Sequence, residues 1–105
     1  MKDYKTNIDL KTTDRLLGQL VDLGCETFTI GGTLNDTHLI ITEGLQDSHK
    51  LGRVKLRKYM ILGYEFSNEW SNNLYMHLTD NEEVFMKFYK QYKAQEEELY
   101  ISLNL

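Results

Sequence analysis

Residues 53–66 read RVKLRKYMILGYEF, and their alternation decides the fold. Val54, Leu56, Met60, Leu62, Tyr64 and Phe66 share one parity, interrupted only by Lys58. Arg53, Lys55, Arg57, Tyr59 and Glu65 share the other. A period of two sends the two sets to opposite faces of a strand, one apolar and one basic then aromatic. A strand with one apolar face needs antiparallel partners and a covering layer on that face. Gly63 is a place where the strand can bend.

Similar patterns flank this run. Upstream, Thr27-Phe28-Thr29-Ile30 alternates, Asn35-Asp36 is suited to a tight turn, and Thr37 to Thr42 forms a second arm. Gly31-Gly32 predicts a bulge or a close backbone approach. Downstream, Leu74 to Leu78 reads as a strand, and so does the terminal alternation Leu99, Ile101, Leu103, Leu105. Thr6, Ile8 and Leu10 allow a short strand at the start.

Two helices complete the set. Leu16, Leu17, Leu20 and Val21 recur at helical spacing, with Thr12 or Thr13 as cap and Gly24 as terminator. Thr79-Asp80-Asn81-Glu82 has the form of a capping box ahead of the stripe Val84, Phe85, Phe88, Tyr89, Tyr92. The expected architecture is a single α+β domain over residues 1–105. It has a mainly antiparallel sheet, two helices packed on one face, and the order (β)-α-β-β-β-β-α-β.

Composition narrows the function classes. One cysteine, Cys25, rules out an intrachain disulfide and suits a cytoplasmic setting. The N-terminal stretch MKDYKTNIDLK is too polar for a signal peptide, and no run reaches membrane-spanning length. Proline is absent, and proline-free chains rich in Lys, Asn, Tyr and Glu are common among bacteriophages and mobile elements. The net charge of −4 is uneven. Residues 1–47 carry four basic and eight acidic groups, residues 48–64 five basic and none acidic, and residues 65–105 three basic and eight acidic.

No catalytic or metal-binding pattern emerges. His38, His49 and His77 lack companions at ligand spacing. Cys25 has no local base to activate it. Ile30-Gly31-Gly32-Thr33 lacks the lysine and following helix of a phosphate loop. The expectation is a non-enzymatic interaction or regulatory protein that uses no cofactor and binds another protein. Trp70, in a polar connection, is a candidate anchor. The alternative is nucleic-acid binding along the basic strand 50–59. There Arg53, Lys55 and Arg57 would recur every ~6.6–7 Å and Tyr59 would stack a base. A homodimer through an edge strand, such as the terminal one, is also expected.

Overall fold

The computed structural model describes residues 3–31, 36–45, 50–51, 54–68 and 71–104. The elements run β1 (Tyr4–Asn7), α1 (Leu10–Asp22), β2 (Thr27–Ile30), β3 (Thr37–Ile41), β4 (Lys50–Leu51), β5 (Val54–Lys55), β6 (Tyr59–Asn68), β7 (Ser71–Thr79) and α2 (Glu82–Asn104). Five strands form one sheet in the order β1-β7-β6-β3-β2, and each neighbouring pair is antiparallel. The chain is therefore α+β, as its alternating segments predict, with one helix following the strands. No described helix is long and apolar enough to cross a membrane.

The central strand β6 explains the layering. Met60 and Leu62 join Ile40, Met76 and Leu78 in a core closed by Leu16 and Leu20 of α1. Ile61 points the other way, into a core with Leu39, Tyr75 and Phe85 of α2. Met60, Ile61 and Leu62 are all fully buried. The two helices thus cover opposite faces, which corrects the expectation that both lie on one. The reason lies in the unbroken apolar triplets Leu39-Ile40-Ile41 and Met60-Ile61-Leu62. Both parities are apolar there, so both faces must leave water.

The long strand expected over 53–66 is also divided. Val54 and Lys55 pair back on Leu51 and Lys50 in a small separate hairpin. Extended pairing with the main sheet resumes only at Tyr59. Between them Leu56 sinks into the α1-side core. Lys58 donates its backbone N–H to Asp80 Oδ1 at 2.8 Å, and its carbonyl accepts from Thr42 N at 2.8 Å. Lys58 is the residue that interrupts the apolar parity, and the interruption is where the strand breaks. Gly63 stays in register in β6, and the irregularity falls between Phe66 and Asn68 instead. A Cβ at Gly63 would lie 3.2 Å from the Thr37 side chain and 3.4 Å from the Tyr75 ring. Glycine thus makes room for its neighbours and does not bend the strand.

Helix ends follow local chemistry, shifted from the expected caps. Asp9, not Thr12 or Thr13, caps α1, accepting the Thr12 N–H at 2.7 Å. Gly24 follows the end of the helix with φ +88°, as a terminating glycine should. Asn81, not Thr79, caps α2, accepting the Glu83 N–H at 2.9 Å, and Thr79 Oγ1 in turn accepts the Asn81 N–H.

The last correction concerns the terminal strand expected over Leu99–Leu105. Residues 99–104 continue α2, and Leu105 lies outside the described residues. No glycine or proline follows Asn81 to stop the helix. Ala94-Gln95-Glu96-Glu97-Glu98 are strong helix formers, and Leu99 and Leu103 also satisfy helical spacing. A dimer built on a terminal strand edge therefore loses its strand. The sheet's two outer strands are β1 and β2.

Candidate interaction surface

The first half of α2 is held by an aromatic cluster. Phe85 stacks on Tyr59 at 4.5 Å between ring centroids and on Tyr89 at 5.8 Å. Phe28 of β2 meets Tyr89 edge-on at 5.2 Å and Tyr92 at 5.3 Å. These rings recur at helical spacing, so one face of α2 lies on the sheet from Phe85 to Tyr92. Every residue described from Lys93 to Leu103 is exposed.

Gln95 marks the crossing of the sheet edge. Its Oε1 accepts the Gly31 N–H at 3.0 Å, just beyond β2. Past this point the buried stripe continues without a sheet beneath it. Leu99 and Leu103 stand seven and eleven residues after Tyr92, on the same side of the helix. They are 61% and 78% exposed, and Tyr100 and Ile101 beside them are 69% and 57% exposed. Among the described residues no strand pairs with the outer edge of the adjacent β2. Ile41 N donates to Glu26 O, and the register continues as Phe28↔Leu39 and Ile30↔Thr37. By antiparallel alternation, Thr27 and Thr29 turn their backbone groups outward.

Of the residues singled out by sequence, Arg53 and Trp70 lie outside the described residues. Lys55, Arg57 and Tyr59 do not form the expected row. Lys55 is exposed on β5, and its carbonyl accepts from Arg57 Nη1. Arg57 is half-buried in the break between strands. Tyr59 lies under α2 against Phe85, and burial together with the charges of Glu82 and Glu43 pushes its phenol pKa up. A base cannot stack on a ring face already covered by Phe85. The end of α2 went unnoticed in the sequence because its leucines also fit a period of two. The signal that could have found it was the absence of any helix stop after Asn81.

His38 Nδ1 lies 3.2 Å from Thr29 Oγ1 across the β2–β3 pair. Burial raises the Cys25 thiol pKa, the opposite of what a nucleophile needs. Among the described residues, no three His, Cys, Asp or Glu side chains converge on a metal-sized site. Asp3 joins β7 through His77 Nε2 at 2.8 Å and the Thr79 hydroxyl at 2.9 Å. Burial alone would raise the Asp3 pKa. Hydrogen bonds from His77 and Thr79, with the charges of His77 and Arg57, outweigh it and hold the carboxyl below its ordinary value.

A depressed folded-state pKa stabilises the fold at pH values above the unfolded pKa. That contribution disappears as pH falls through the folded value. Asp3→Asn is therefore expected to be less stable than the parent at neutral pH. The gap should close only below about pH 3.9, read from urea midpoints of both chains across a pH series. A gap that is constant down to strong acid would contradict this assignment.

No protein-family model, curated protein or solved structure matches this chain.

Proposed function

We propose that this chain is a non-enzymatic interaction protein. It binds another protein through the exposed end of α2 and the neighbouring open edge of β2. The carrying observation is the continuation of the apolar stripe beyond the sheet, which leaves Leu99 and Leu103 in water. Contiguous exposed apolar residues on a helix beside an open strand edge are a common mode of protein recognition. The alternative, nucleic-acid binding along 50–59, draws less support. Its described basic residues are split between a small hairpin and an irregular segment, and one face of its aromatic is covered.

A pull-down from host lysate with and without nuclease tests the choice. The parent chain should retain a protein partner that survives nuclease. The double variant Leu99→Asp/Leu103→Asp should lose it while keeping the parent's circular dichroism. A partner released by nuclease, or equal retention by the double variant, rejects this reading.

A further inference from the structure

We propose that Gln95 guards the outer edge of β2, standing where the backbone carbonyl of an added strand would stand. The inference rests on reading β2 and the end of α2 as one accessible surface, and it names what limits that surface.

The geometry of β2 carries the argument. Phe28 and Ile30 turn their backbone groups toward β3, so Thr27, Thr29 and, by the same alternation, Gly31 turn theirs outward. A sixth strand would bring its carbonyl oxygens to about 2.9–3.0 Å from those outward N–H groups. At Gly31 that place is taken, because Gln95 Oε1 accepts the N–H at 3.0 Å. The rest of the side-chain amide lies against the same residue. A Cβ at Gly31 would sit 3.3 Å from Gln95 Nε2. The close approach expected at Gly31 is thus made by a side-chain amide, which offers the same kinds of donor and acceptor as a peptide group. Phe28 meets Tyr89 and Tyr92 just ahead of Gln95, so packing delivers the amide to the edge. A strand laid along β2 therefore either ends at Thr29 or displaces Gln95.

The composition of β2 explains why a guard is needed there. Edge strands are commonly protected by lysine, proline or a bulge. β1, the other outer strand, carries Lys5, whereas Thr27-Phe28-Thr29-Ile30 has no charge, no proline and an unbroken register with β3. Threonine, phenylalanine and isoleucine all favour extended structure, and uncharged stretches of this kind recruit further strands. With Gln95 in place, the edge left open runs from Thr27 to Thr29, a span of ~7 Å. That is about one repeat of an antiparallel ladder.

Two measurements on the purified chain test this. The Gly31 amide should exchange with solvent deuterium about fivefold faster in Gln95→Ala than in the parent, the effect of losing one ordinary hydrogen bond. The amides of Phe28 and Ile30 should be unchanged. In sedimentation velocity, Gln95→Ala should associate at concentrations that leave the parent monomeric. Adding Thr29→Pro should return it to a monomer, because proline there removes an outward N–H and no bond to β3. Both variants should keep the parent's circular dichroism. Equal exchange at Gly31 in the two chains, or a Gln95→Ala chain as monomeric as the parent, overturns the guard. Association that persists with Thr29→Pro lies away from β2 and overturns it too. So does a parent that is already associated and becomes monomeric with Thr29→Pro, since Gln95 then does not close the edge. The binding assigned to the exposed leucines is decided separately, by Leu99→Asp/Leu103→Asp in the lysate experiment.

Discussion

Phe85→Ala is expected to destabilise the chain by about 3–5 kcal/mol, read as a fall in the urea midpoint with little change in slope. Phe85 is 5% exposed and is the α2 residue in the core that faces Leu39, Ile61 and Tyr75. It also stacks between Tyr59 and Tyr89. Truncation leaves a ring-sized cavity between sheet and helix and removes both stacking partners at once. The loss should fall selectively on the seating of α2. The near-ultraviolet dichroism of the tyrosines should therefore be weakened in the folded variant before any urea is added. An unchanged midpoint would mean that α2 is not held by this ring.

The second large effect should come from β6. Ile61→Ala and Leu62→Ala are each expected to destabilise by about 2–5 kcal/mol. Both side chains are fully buried, but in different cores, Ile61 under α2 and Leu62 under α1. Side chains on opposite faces of the strand share no core partner here, so the two losses should largely add. The double variant should therefore lose roughly 4–10 kcal/mol, comparable with the whole stability of a small domain. It should be unfolded in water by circular dichroism, while each single variant retains a cooperative transition. A double variant no weaker than the worse single one would imply one shared core and contradict the two-sided packing.

The strands were legible wherever one parity was polar. Thr27-Phe28-Thr29-Ile30 alternates and forms β2, and the segment around Leu74 to Leu78 forms part of β7. Gly24 and the aromatic stripe from Phe85 to Tyr92 were legible for the same reason, because each depends on neighbours close in the chain. The layer arrangement was not read correctly, although the triplets at 39–41 and 60–62 contained the clue. A run apolar on both parities means burial on both faces, and the alternation around it concealed that. The break at Lys58 depends on Asp80 and Thr42, partners 22 and 16 positions away, so no local pattern specifies it. The exposed end of α2 was misread because Leu99, Ile101 and Leu103 satisfy a period of two, while the composition from Ala94 onward already favoured helix. The basic row failed because Tyr59 falls beneath a helix that its own neighbourhood does not encode.

The pairing of β1 with β7 has a consequence for the order in which the molecule is made. Tyr4 pairs with Leu78 and Asn7 with Tyr75. β1 therefore leaves the ribosome roughly 70 residues ahead of the strand that receives it. At ~5–20 residues per second, that is an interval of roughly 4–14 s. Until Tyr59 and the rest of β6 are made, Leu16 and Leu20 of α1 have neither β6 nor β7 to pack against. The hairpin of β6 and β7 closes through contacts local in sequence. Once it has formed, β1 and α1 can dock on it from one side and β3 with β2 from the other. In this molecule β1 and α1 are made before the strands β6 and β7 that they pack against.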